Sequence, residues 1–167
     1  MYNLADFKIQ FNNQYNGLIR LCENYIAEDE NKSSVTVSIT DSDIAYEKER
    51  AEYEYSNSYL ETLSAYRKLA EWLPLHNAFV LHSAVVDVDG VGVAFAAHSG
   101  TGKTTHIKLW KRYLGDKVKI INGDKPILSL SDGKITVHGT PYAGKEGWQT
   151  NMSAELGGIC FLSRSKD

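Results

Sequence analysis

The chain is poor in the residues that staple or stiffen a fold. Of its 167 residues only two are cysteine, Cys22 and Cys160, and three are proline. Two cysteines without metal-type spacing exclude a disulfide framework and a cysteine-based metal knuckle. Cys160, inside the apolar run GGICFL, reads as a small residue of a buried strand. No apolar run approaches the roughly 18 residues needed to cross a bilayer, so no membrane partner is expected. The N-terminal MYNLADFKIQF shows no basic segment followed by an apolar one, so no secretion signal is expected and a cytoplasmic setting is the default. Basic excess is lacking too. A net charge of −3 argues against a nucleic-acid partner.

What remains is ordinary globular material, 43% hydrophobic and 23% charged, in a length that buries a core unaided. Two parts are expected, an α+β region over residues 1–72 and a second over 73–167. In the first, FKIQF and SVTVSIT alternate with the period of strands, through Phe7, Ile9, Phe11 and Val35, Val37, Ile39. NGLIRLCENYI between them reads as a helix with Leu18, Leu21 and Tyr25 on one face, and AEDENKSS, 27–34, as an exposed loop. The stretch 41–73 predicts one or two helices, with Tyr59, Leu63, Tyr66 and Leu69 on the packed face.

In the second part, AFVLHSAVVDVDGVGVAFAA predicts a hairpin around Asp89-Gly90, with His82 in the middle of its first strand. A calcium reading of Asp87-x-Asp89-Gly90 fails because the rest of a twelve-residue loop is missing. KTTHIKLWKRYLGD predicts a helix with Ile107, Trp110 and Leu114 inward and Gly115 as its stop. KVKIING is a short buried strand ending near Asp124, and a further hairpin is expected around Asp132-Gly133.

The densest signal is AAHSGTGKTTHIKLW, residues 96–110. It matches G-x-x-x-x-G-K-[ST] except that Ala97 stands at the first glycine position. A strand, a glycine-rich turn and a helix N-terminus make an anion site, since backbone N–H groups point inward and the helix dipole favours negative charge. Gly100 and Gly102 permit the backbone angles and the close approach, Lys103 can reach phosphates, and the Thr104 hydroxyl can ligate magnesium. Ala97 removes no group that touches phosphate. Ser99, Gly100, Thr101, Gly102, Lys103, Thr104 and Thr105 are therefore the expected nucleotide-binding residues. Asp124, after the next strand, is placed to hold a metal or to take a proton from an attacking hydroxyl.

LHSAVVDVDGVGVAFAAHSGTGKTTHIKLW, followed by KVKIINGDKPIL, resembles the catalytic domain of the HPr kinase/phosphorylase family, whose core is similar to that of ATP-dependent phosphoenolpyruvate carboxykinase. The resemblance covers residues 79–130. It implies a P-loop α/β core with a mixed sheet, in which a hairpin leads into the phosphate loop. It also implies ATP and Mg2+ as cofactors, Lys103 on phosphates, Thr104 on the metal, and Asp124 as metal ligand and acid/base facing the acceptor hydroxyl. His82 falls at the family's histidine position and joins Asp124 and Lys103 as a catalytic candidate. Departures are specific. The family carries two adjacent acids where this chain has Asp124-Lys125, and GTPYAGKEGWQTN does not match the family's second catalytic stretch. Lys145 and Glu146 there read as an exposed turn or as substrate contacts. Only a short segment follows CFL, where the family continues into a helical docking and assembly region.

The expected activity is an ATP-dependent serine kinase acting on a hydroxyl of a protein or peptide, with an oligomer compatible with the family's habit of assembly. A degenerate nucleotide-binding module and a small-molecule or carboxykinase-like enzyme are the alternatives. A carboxykinase needs an arginine for its substrate carboxylate, and Arg67, Arg112 and Arg164 are not expected near the motif.

Overall fold

A computed structural model describes residues 1–28 and 32–165, so 29–31 of the expected loop lie outside the described residues. Two compact units follow one another along the chain, Met1–His76 and Asn77–Asp167.

In the first unit β1 (Tyr2–Leu4) pairs antiparallel with β2 (Phe7–Asn12), and β3 (Val35–Ser38) lies parallel to β2. Helix α1 is short, Gly17–Leu21, and gives way to a 3-10 turn over Glu23–Tyr25, with Leu18, Cys22 and Tyr25 buried. Helix α2 (Asp41–Arg50) starts at a capping box: Thr40 accepts from the Asp43 N–H, and the Asp43 carboxylate accepts from the Thr40 N–H at 2.9 Å. Helix α3 (Asn57–Trp72) packs Leu60, Ala65 and Leu69 inward. Tyr59, expected on that face, is instead half exposed and meets the Tyr55 ring at 4.9 Å. The inner face is set by Leu60 and by Glu61, a buried carboxylate that accepts from the Gln14 and Tyr15 N–H groups. Burying a charged side chain is tolerable only with such donors.

The second unit is a seven-stranded mixed sheet in the order β4-β8-β9-β10-β6-β5-β7. Its strands are β4 (Ala78–Val80), β5 (Ser83–Val88), β6 (Val91–Ala96), β7 (Val118–Asn122), β8 (Ile127–Ser131), β9 (Lys134–His138) and β10 (Ser153–Phe161). β6 and β10 are parallel, and the other pairs are antiparallel. Both two-residue turns take positive φ throughout, Asp89 and Gly90 at 50° and 89°, Asp132 and Gly133 at 51° and 74°. Such angles match the twist of the paired strands, so these turns set register.

β5 is buried on both faces because both are covered. Ala84 and Val86 pack with Phe95, Val118 and Ile107 of helix α4 (Lys103–Leu114), whereas Val85 packs with Ala94, Ile121, Leu128 and Val137 on the opposite side. Full coverage explains why SAVVDV reads as a continuous run rather than an alternation. Two inward assignments change. Leu114 is exposed, as are all residues 111–117, so the packed face of α4, with Ile107 and Trp110, ends at Trp110. Cys160 is exposed because β10 leaves β9 after Glu155 and beyond it pairs with β6 alone.

Candidate functional site

The loop 97–102 is formed where β6 ends and α4 begins. Gly100 has φ 76° and Gly102, the residue that caps α4, has φ 113°. These left-handed angles are the reason for glycine at both positions. Ala97 is not among the positive-φ residues, so its methyl group is compatible with its backbone. The first N–H groups of α4 have no acceptor within the helix and open onto the loop.

A cleft of about 300 Å³ lies against this loop and brings together Ser99, Lys103, Thr104, His82 and Asp124. Thr105 and the loop glycines Gly100 and Gly102 also line it, while Thr101 faces the other side of the loop. Lys103 is almost fully buried and donates to the Ala97 carbonyl at 3.0 Å. Burial pushes its ammonium below the ordinary lysine value, and the nearby Asp124 carboxylate opposes that shift. A buried cation of this kind is poised for an anion that would replace its lost hydration.

His82 does not lie in the middle of a strand. It occupies the break between β4 and β5, half exposed, with Nε2 3.0 Å from Asp124 Oδ1. The break has a partner. The chain linking β7 to β8 runs antiparallel to it, with the Leu81 N–H on the Pro126 carbonyl at 3.1 Å and the Ser83 N–H on the Asp124 carbonyl at 3.0 Å. Two paired interruptions thus face each other across the sheet and project His82 and Asp124 into one cleft. The hydroxyl of Ser83, next in sequence to His82, is buried and has no hydrogen-bond partner among the described residues.

Asp124 is held from three directions. Asn122, fully buried, accepts from the Asp124 and Lys125 N–H groups, each at 2.8 Å, while its amide donates to the Thr140 carbonyl at 2.9 Å. This is an Asx turn, the local signal being Asn-Gly-Asp directly after an apolar strand. Gly144, at φ 72°, lies so close that a Cβ there would stand 3.1 Å from the Asp124 Cβ. Lys125 Nζ is 3.6 Å from Asp124 Oδ2. Lys145 and Glu146 are exposed, and Glu146 pairs with Lys108 at 2.9 Å; neither lines the cleft.

Arg164 was not legible from motif spacing, yet it reaches the loop. Its Nη2 donates to the Gly100 carbonyl at 2.5 Å and its Nε to the Thr101 carbonyl at 3.4 Å. The cause is the parallel pairing of β10 with β6. Two parallel strands leave the sheet at the same end, and the Leu162 N–H continues the ladder onto the Ala96 carbonyl at 2.9 Å. The expectation that no arginine lies near the motif is therefore corrected.

Among the described residues no group of three or more His, Cys, Asp or Glu could hold a metal ion. Thr104 and Asp124 supply two oxygen donors to the cleft. That set fits magnesium, which keeps several waters and completes its shell with substrate phosphates rather than a protein cage. Among the described residues no helix is long and apolar enough to cross a membrane.

No protein-family model matches the chain, and no curated protein matches it. Among solved structures it is similar to the Hpr(Ser) kinase/phosphatase from Coxiella burnetii, with a TM-score of 0.37 and 13% identity. The likeness covers 53% of this chain and 65% of that one, so the chain spans less than two thirds of that protein. The second unit is an α/β domain with a mixed sheet.

Proposed function

We propose that the protein binds a nucleoside triphosphate and transfers its terminal phosphoryl group to a hydroxyl, most simply a serine of a protein or peptide. The observation that carries this reading is the His82–Asp124 pair at 3.0 Å, set in the same cleft as Lys103 and the glycine loop. Phosphoryl transfer needs little covalent chemistry from the protein. It needs charge to be offset on the transferred group and an acceptor oriented in line.

Loop N–H groups and Lys103 would hold the phosphates, and Thr104 and Asp124 would hold magnesium. Bound there, the ion would neutralise charge developing on the phosphate oxygens. The acceptor O–H loses its proton to the Asp124 carboxylate or, through it, to His82. The hydroxyl oxygen forms the new bond to phosphorus, and the bond from phosphorus to the bridging oxygen breaks, releasing the nucleoside diphosphate. Ser99, Gly100 and Gly102 cradle the phosphates, with Thr101 and Thr105 beside them.

Lys125 favours a second reading, a module that binds nucleotide without turnover. Its ammonium, 3.6 Å from Asp124 Oδ2, occupies one side of the carboxylate that metal or acceptor would use. Calorimetry with ATP, with and without magnesium, on wild type, Lys103→Ala and Asp124→Asn separates the readings. A phosphotransferase binds ATP with magnesium dependence, loses binding with Lys103→Ala, and keeps binding but loses hydrolysis or transfer with Asp124→Asn. No binding by the wild type removes both readings. Binding with no turnover on any hydroxyl acceptor or water leaves the second.

A further inference from the structure

We propose that the nucleotide runs through the loop in one defined direction, its flat heteroaromatic base seated in a second cleft on the Leu162 and Arg164 side and its terminal phosphate at His82 and Asp124. The inference rests on the nucleotide reading above and adds to it the seat and the chemical class of the base.

The second cleft measures about 430 Å³ and is lined by Thr101, His106, Leu109, Leu162 and Arg164. It shares Gly102 and Thr105 with the cleft of His82 and Asp124, so the two open on either side of one loop end. Their chemistry differs. Around His82 and Asp124 every lining side chain is polar or absent, which suits a reacting phosphate. The second cleft instead offers two leucines. Leu109 is 42% exposed on a helix turn whose other apolar residues, Ile107 and Trp110, face the core. Exposed apolar surface beside a phosphate-binding loop is what a nucleoside would cover, since small-molecule sites combine apolar walls with a few fixed polar groups.

Those polar groups are held in place. The Arg164 guanidinium, in the lining of this cleft, is fixed in orientation by the Gly100 and Thr101 carbonyls, and a guanidinium plane is a surface on which an aromatic ring stacks. The His106 ring is held too: its Nε2 accepts from Trp110 Nε1 at 3.1 Å, and it meets the Phe95 ring edge-on at 4.5 Å. A leucine floor, a pinned cation and a locked imidazole describe a pocket for a flat aromatic ring, and they lie on the side of the loop away from the acid/base pair.

The test compares ATP with inorganic tripolyphosphate, which carries the same phosphates and no base, by calorimetry with magnesium on the full chain. The wild type is expected to bind ATP at least tenfold more tightly than tripolyphosphate. Leu109→Ala, at a position 42% exposed, is expected to weaken ATP about five- to tenfold and to leave tripolyphosphate within twofold. Photolabelling with 8-azido-ATP should modify the segment 106–111 or 162–165. Equal affinity for the two ligands, equal weakening of both by Leu109→Ala, or labelling confined to 120–125 overturns the assignment while the phosphate site stands. Failure of the wild type to bind either ligand overturns the nucleotide reading itself and this inference with it.

Discussion

His82 Nε2 and Asp124 Oδ1 stand 3.0 Å apart, joined by neither a common strand nor a common turn. Their approach depends on the Ser83 N–H reaching the Asp124 carbonyl, a backbone bond that ties the two interruptions together. The pair therefore has a kinetic signature distinct from that of the loop. His82→Ala is expected to lower kcat by about 100- to 10,000-fold, the usual weight of a single acid/base group, with the nucleotide Kd changed less than threefold. Steady-state transfer and calorimetry on the same preparation check it. A loss of affinity equal to the loss of rate would make His82 a binding residue.

Gly144 supports the same carboxylate from outside the cleft. A side chain there meets both a left-handed backbone, φ 72°, and the Asp124 Cβ at 3.1 Å. Gly144→Ala is expected to destabilise the second unit by about 1 kcal/mol through the backbone alone. It should also displace Asp124 and lower kcat by more than tenfold, because small misplacements of reacting groups cost rate steeply. Urea denaturation measures the first effect and transfer kinetics the second. A variant destabilised yet fully active would show that Gly144 does not position Asp124.

In the first unit the pH-sensitive contact is Asp43. Burial alone would raise its carboxyl, but hydrogen bonds from Lys68, at 2.6 Å, and from Thr40 outweigh burial and hold it well below the usual carboxylate range. A carboxyl whose folded pKa is depressed contributes stability that is fully present above its unfolded value, near pH 3.9, and is lost as pH falls through the folded value. Acid unfolding of wild type should therefore steepen below about pH 4. Asp43→Asn should cost about 2 kcal/mol at pH 7 and flatten that dependence. Urea midpoints at pH 7 and pH 3 give the comparison.

The two thiols should react very differently. Cys22 is fully buried, and burial pushes its thiol up to about 12, whereas Cys160 is exposed. Only the thiolate is nucleophilic, so Ellman's reagent at pH 8 is expected to modify one thiol rapidly and the second only on unfolding. Cys160→Ser should remove the fast phase.

The local half of the site could be read residue by residue. Gly100 and Gly102, Lys103 at the start of α4, Gly115 at its end, and the turns at Asp89-Gly90 and Asp132-Gly133 are positions where one residue's backbone preference decides the conformation. Expectations failed where a neighbour distant in sequence decides the environment. Cys160 lies in an apolar run yet is exposed, because β10 parts from β9. Tyr59 has helical spacing yet points outward, because α3 turns Glu61 toward the Gln14 and Tyr15 N–H groups.

By itself the sequence determined a glycine-shaped loop between a strand and a helix, with a lysine at the helix start, because spacing and backbone preference act within a few residues. Tertiary structure decided how the rest of the site meets that loop. The parallel pairing of β10 with β6 delivers Leu162 and Arg164, and the facing breaks in β4–β5 and β7–β8 deliver His82 and Asp124. Strand pairing is a long-range choice made by register and burial, so Leu162 and Arg164 carry no mark of the loop along the chain.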